Sequence, residues 1–166
     1  MPKAVIIAGS NGAGKTTFAR SLLPHEHPEC SFLNADEIQR EGPQFASPIA
    51  AGRELLSRLT TVIDAGESFA LETTLSSGMY ARQIPGWRAQ GYQVWLYFLE
   101  AISADFAVAR VAQRVAAGGH GIPEPDIRRR FARGLQLFPA YQSPAEIWYH
   151  VRVDQKGPVV VAQSAP

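Results

Sequence analysis

The stretch AGSNGAGKTTFA, residues 8 to 19, follows the apolar run AVII and leads into RSLL. Within it Gly9, Gly14, Lys15 and Thr16 stand at the spacing G-x-x-x-x-G-K-S/T, which carries chemical meaning when a strand precedes it and a helix follows. Both conditions are met by the pattern on either side. The glycines let the backbone turn so that successive N–H groups point inward at phosphate oxygens, and the N-terminus of the following helix adds partial positive charge. Lys15 can reach the terminal phosphates, and the Thr16 hydroxyl suits Mg²⁺. The residues expected to bind ATP are Gly9, Ser10, Asn11, Gly12, Ala13, Gly14, Lys15, Thr16 and Thr17, with Thr16 as the metal-side ligand.

Such a turn fixes the rest of the architecture, because it belongs to a strand–loop–helix unit in a parallel sheet. Strands are expected at 4–8, 31–34, 68–72 and 92–100, with two later apolar runs, IWYHVRV and PVVVA. Helical patterns lie between them, the firmest being SPIAAGRELLSRLTTVIDAG, in which Leu55, Leu56, Leu59, Val62 and Ile63 recur at helical spacing up to Gly66. A weaker pattern around SGMYARQIPGWRAQG is interrupted by Pro85 and Gly86. This alternation predicts an α/β fold of three layers, a P-loop NTPase of the small-kinase type with a mostly parallel sheet covered by helices on both faces. At 166 residues, without a visible linker or repeat, the chain is expected to form a single domain over 1–166.

Composition removes several classes. Hydrophobic residues make up 46% and charged residues 19%, as in a globular rather than a disordered chain. The formal net charge of +1 offers no basic face for nucleic acid, and no apolar run is long enough for a membrane span or a secretory signal, so neither partner is expected and the location reads as cytoplasmic. Cys30 is the sole cysteine and reads as a packed hydrophobe. The aromatic residues Trp87, Tyr92, Trp95, Tyr97 and Phe98 read as a buried strand with its packing partner rather than a base-stacking platform. HEH at 25–27, bracketed by Pro24 and Pro28, reads as a solvated loop rather than a metal site.

In a parallel α/β sheet, ligands gather beyond the carboxyl ends of the strands. FLNAD places Asp36 there, and FALETTL places Glu72 with Thr73 and Thr74. Either carboxylate can serve as general base or as support for the metal, and Asp36 can also be a helix N-cap. An acidic residue ending a buried strand must face a cation or solvent, which singles out Glu72. The segment RVAQRVAAGGHGIPEPDIRRRF carries Arg110 and Arg114, a glycine-rich break, then Arg128, Arg129 and Arg130. Arginines on two helices joined by a flexible loop suit a lid closing over a triphosphate.

In that order AGSNGAGKTT, FLNADEI, FALETTLSS, GYQVWLYFL and RVAQRVAAGGHGIPEPDIRRRF resemble the zeta-toxin-like P-loop kinases, specifically the short proteins labelled "predicted ABC-type ATPase". The resemblance implies that Lys15 and Thr16 bind ATP and Mg²⁺, that Asp36 is the base, that Glu72 and Thr73 contact the acceptor, and that Arg114 and Arg129 belong to the lid. Characterised zeta toxins phosphorylate a sugar hydroxyl of UDP-N-acetylglucosamine. The expected activity is therefore transfer of the ATP γ-phosphoryl group to a hydroxyl of a small acceptor, such as that nucleotide sugar, and an antitoxin protein enters as a candidate partner. Two departures concern the acceptor and nucleotide pockets: VDQKG stands where short relatives tend to show DNS, and RGLQLF where they tend to show RSLxNL. A kinase of an antibiotic, a nucleoside or a simple sugar, and an ATP-binding regulatory module without transfer activity, remain as alternatives. No LSGGQ stretch supports a transporter-type ATPase.

Overall fold

The computed structural model describes residues 1–164. Strands β1 (Lys3–Gly9), β2 (Ser31–Leu33), β3 (Phe69–Thr73), β4 (Gln93–Ala101), β5 (Ile147–Asp154) and β6 (Gly157–Gln163) form one sheet in the order β2-β3-β1-β4-β5-β6. The pairings from β2 to β5 are parallel, and β6 returns antiparallel along β5. Helices α1 (Lys15–Glu26), α2 (Ala35–Arg40), α3 (Pro48–Asp64), α4 (Met79–Ala89), α5 (Ala104–Ala116) and α6 (Glu124–Gln142) complete the chain. This is the α/β architecture that the alternating pattern predicts.

Strand β1 sits mid-sheet because its side chains are apolar on both faces. Ala4, Ile6 and Ala8 join one core with Leu55 and Leu59 of α3 and Tyr80, Ile84 and Trp87 of α4. Val5 and Ile7 join the other, with Ala19 and Leu23 of α1, Ala107 and Val111 of α5, and Ile127 of α6. A strand covered twice reads as an unbroken apolar run, as AVII does. Helix α3 begins where Ser47 Oγ accepts from the Ala50 amide at 3.1 Å, and past its end Gly66 takes φ +67°.

Two proline-based expectations fail. Helix α4 continues through Pro85, because Ile84 and Trp87, both buried, anchor it on either side of the missing N–H. Helix α1 likewise contains Pro24 and runs on to Glu26, so HEH is not a solvated loop. His27 is 1% exposed, lies edge-on to Trp95 at 4.9 Å between ring centres, and has Nε2 3.0 Å from the Tyr97 hydroxyl. Burial pulls its pKa below the ordinary histidine value, with Lys3 adding to the effect.

The aromatic residues divide between the two faces. Trp95, Tyr97 and Tyr149 stack along β4 and β5, with Tyr97 and Tyr149 only 5.0 Å apart. Trp87 and Tyr92 pack on Phe69 on the opposite side. The half-buried Cys30 thiol is pushed up to about 12 by burial, so it is an inert packing group. No helix among the described residues is long and apolar enough to cross a membrane.

Candidate active site

The loop between β1 and α1 is shaped by close approach. A side chain at Gly12, where φ is +82°, would put its Cβ 2.2 Å from the Ala107 carbonyl oxygen on α5, so only glycine lets the loop lie against that helix. The turn is closed by the Ala13 amide donating to the Ser10 carbonyl at 3.1 Å. Helix α1 then starts at Gly14 with no side-chain cap and no acidic residue in its first turn. Its free N–H groups therefore face the cleft with their partial positive charge uncompensated. Ser10 Oγ is buried without a hydrogen-bond partner. An uncapped helix start, an orphaned hydroxyl and a buried lysine together fit a phosphate chain.

Lys15 is 6% exposed, and its Nζ donates to the Ser10 carbonyl at 3.1 Å and lies 3.7 Å from Glu72 Oε1. Burial lowers the lysine pKa, while Glu72 and Asp36 oppose that shift. Of the two surroundings open to Glu72 at the end of β3, a cation or solvent, the structure supplies the cation, Lys15. Its other oxygen, Oε2, accepts from Thr16 Oγ1 at 2.7 Å and from Asn34 Nδ2 at 2.8 Å. Among the described residues no cluster of three or more His, Cys, Asp or Glu side chains is built to hold a metal alone.

Asp36 stands in the first turn of α2, but it is not the cap. Asn34 Oδ1 accepts from the amides of Asp36, at 2.8 Å, and Glu37, at 3.3 Å. The Asp36 side chain therefore has no capping duty and lines the same cleft as Lys15, Thr16 and Glu72. Thr73 and Thr74 follow Glu72 along the wall. The Thr73 hydroxyl accepts from the Leu75 amide at 3.2 Å, and Leu75 is fully buried at φ +55°, an unusual backbone state for a leucine. The loop after β3 is thus held by core packing in a strained turn beside the cleft.

The arginine cluster divides. Arg110, Arg114 and Arg130 line the cleft, whose volume is about 810 Å³. Arg114 donates to the His120 carbonyl at 3.0 Å, and Arg130 donates to Asn11 Oδ1 at 2.9 Å. Arg129 does not reach the cleft: it pairs with Asp126 at 2.8 Å on the exposed side of α6. Arg128 also turns away, to Asp105 and Glu124. The cause is helix phase. Ile127, Gly134 and Tyr141 point α6 inward, and Arg130, three residues after Ile127, lies about 60° from it on that side, whereas Arg129 is turned about 160° from Ile127. RRR read without the phase does not show which arginine lines the cleft.

The sequence reading also missed Arg40 at the end of α2 and Arg53 on α3, which line the cleft. Their signal was weak, since a single arginine on an amphipathic helix ordinarily faces solvent. Beside the loop, a second groove is lined by Phe18 and Leu22 of α1, Leu99, Val153 and Pro158, together with Thr17 and Arg110.

Solved structures with the same fold include a chain of the PezAT chromosomal toxin–antitoxin system of Streptococcus pneumoniae, at TM-score 0.70 and 15% identity over 98% of this chain and 72% of that one. The ATP-containing AvrRxo1-ORF1:AvrRxo1-ORF2 complex gives TM-score 0.67 and 18% identity over 98% of this chain and 58% of that one. A gluconokinase from Sinorhizobium meliloti gives TM-score 0.52 and 14% identity over 93% and 83%. At the sequence level, an uncharacterised protein of Haemophilus influenzae is 26% identical over 136 residues, covering 78% of this chain and 92% of its own. The zeta toxin family model matches residues 1–161, a span containing the phosphate loop, both carboxylates and all the cleft arginines. With that match over nearly its whole length, the chain belongs to the zeta toxin family.

Proposed function

We propose that this chain is a single-domain, ATP- and Mg²⁺-dependent phosphotransferase that acts on a hydroxyl of a small acceptor, with a nucleotide sugar such as UDP-N-acetylglucosamine as the leading candidate. One observation carries the reading: Lys15, Thr16, Asp36, Glu72, Arg114 and Arg130, drawn from five parts of the chain, line one cleft at the mouth of an uncapped helix. Bound ATP with its metal would supply the transferable phosphoryl group and an electrophilic phosphorus.

The chain's own residues have separable tasks. Loop amides and Lys15 hold the phosphates, and the Thr16 hydroxyl serves the metal. The Phe18–Leu22–Pro158 groove suits the flat base, since it opens beside Thr17 at the loop. Asp36 takes the proton of the attacking hydroxyl. It is preferred to Glu72 because two hydrogen-bond donors and the Lys15 ammonium already converge on Glu72, whereas no side chain among the described residues donates to the Asp36 carboxylate. Glu72 and Thr73 orient the acceptor. Arg130, half-buried and held by Asn11, offsets charge on the phosphoryl group in flight, and the more exposed Arg114 joins it from the end of α5. An antitoxin partner belongs to this reading through the likeness to the PezAT system.

The test is incubation of the protein with ATP, Mg²⁺ and UDP-N-acetylglucosamine, and in parallel with a metabolite extract, followed by mass spectrometry. Appearance of a species heavier by one phosphoryl group supports transfer and identifies the acceptor. ATP binding without any phosphorylated product in either mixture would leave a nucleotide-binding module and overturn the enzyme reading.

A further inference from the structure

We propose that Asn34 is a positioning residue that aligns the two carboxylates of the cleft, a role that rests on the phosphotransferase reading above. The side chain is 4% exposed and sits at the junction of β2 and α2. Its two ends do different work. Oδ1 receives the Asp36 and Glu37 amides, fixing the first turn of α2 and with it the backbone that carries Asp36. Nδ2 donates to Glu72 Oε2 at 2.8 Å, across from β2 to the end of β3.

The orientation of this amide is set by its neighbours. Two N–H donors face one end and a carboxylate faces the other, so the reversed amide would lose both interactions at once. Serine, threonine and aspartate cap helices about as well as asparagine, but none of them carries an amide donor on the far side. Asparagine is thus the cap that also grips Glu72. The second task matters because Glu72 Oε2 shares its other donor, Thr16 Oγ1, with the expected metal role of Thr16. When that hydroxyl is engaged elsewhere, Asn34 is the remaining side-chain donor to Oε2 among the described residues. It keeps Glu72 beside Lys15 and at a set distance from Asp36, and positioning of this kind is felt in turnover more than in binding.

The test separates capping from alignment. Asn34→Ser and Asn34→Asp retain an N-cap acceptor and lose the donor, while Asn34→Ala loses both. Thermal midpoints should stay near wild type for the serine variant and fall for alanine, and fall for aspartate too, whose second carboxylate oxygen would stand against Glu72 Oε2. Binding of ATP with Mg²⁺, measured by calorimetry, should change by less than about threefold in Asn34→Ser. ADP release from ATP with Mg²⁺, with and without UDP-N-acetylglucosamine, should show kcat reduced roughly 10- to 100-fold, the scale of one lost hydrogen bond to a charged group. In a Glu72→Ala background the same substitution should cost no further kcat. A folded Asn34→Ser with wild-type kcat, or a loss that persists undiminished in the Glu72→Ala background, would overturn the proposal.

One measurement is independent of activity. In ¹H–¹⁵N spectra of the ligand-free full chain, the Asn34 side-chain amide signals should shift on Glu72→Ala, and by more than they do on Asp36→Asn. An Asn34 signal indifferent to Glu72→Ala overturns the proposal even if the protein is an active kinase. A signal that responds in a protein that neither binds ATP nor turns it over shows instead that the phosphotransferase reading has failed, and the positioning role falls with it.

Discussion

The guanidinium of Arg130 donates to Oδ1 of Asn11 at 2.9 Å, joining the middle of α6 to the phosphate loop across 119 residues of sequence. Arg129, its neighbour, is bound to Asp126 on the outer surface. Substitution should therefore separate them. Arg130→Ala is expected to lower turnover by roughly 10²- to 10³-fold, as removal of an arginine acting on transition-state charge does. Arg129→Ala should stay within about twofold of wild type. Steady-state kinetics on both variants checks this, and equal losses would mean that helix phase does not decide which arginine matters.

Lys15 is buried against the Ser10 carbonyl and Glu72. Lys15→Ala should abolish the rise in thermal midpoint that ATP and Mg²⁺ produce in the wild type, because the cleft loses its cation nearest the loop. Thermal denaturation with and without nucleotide measures it. Undiminished protection would remove the nucleotide site from the loop.

The two carboxylates should respond differently. Since Asn34 rather than Asp36 caps α2, Asp36→Asn is expected to leave the thermal midpoint nearly unchanged while transfer falls roughly 10²-fold or more. Glu72→Gln should instead raise the apparent KM for acceptor or the magnesium requirement. Kinetics at varied acceptor and Mg²⁺ test both, and near-normal turnover by Asp36→Asn with an inactive Glu72→Gln would assign the base to Glu72.

Two glycines with similar backbone angles provide a packing test. At Gly12 a new Cβ would sit 2.2 Å from the Ala107 carbonyl oxygen, whereas at Gly66, also at positive φ, it would meet nothing within 4 Å. Gly66→Ala should cost about 1–2 kcal/mol, the left-handed penalty alone. Gly12→Ala adds a clash that moves α5 or the loop, so its loss in urea unfolding should exceed that of Gly66→Ala and be accompanied by loss of ATP binding.

His27 predicts a pH dependence of stability. Its pKa in the folded chain lies below the ordinary 6.5, so the unfolded chain binds the extra proton more readily. Stability from this residue is fully present above pH 6.5 and is lost as the pH falls from 6.5 toward the folded value. Urea unfolding between pH 7.5 and pH 5 should show a decline in wild type that is shallower in His27→Gln. Parallel slopes for the two proteins would show that His27 does not contribute.

The phosphate loop, the strand order of burial and the carboxylates at strand ends were legible in the chain because each depends on residues close in sequence. A G-x-x-x-x-G-K-T turn after an apolar run specifies local backbone and charge, and FALE ending in a glutamate already calls for a cation or solvent at that end. The assignments that failed depended on residues far apart. Pro24 and Pro85 read as breaks, but packing of Leu23, Ile84 and Trp87 keeps both helices continuous. His27 read as solvated because nothing local announces Trp95 and Tyr97, some 70 residues on, which enclose it. RRR does not reveal which arginine points inward until Ile127, Gly134 and Tyr141 have docked α6 on the sheet. Local backbone preference and charge are properties of a few consecutive residues; burial and helix phase are set by surfaces that meet only when the chain has folded, and only the tertiary structure decides them.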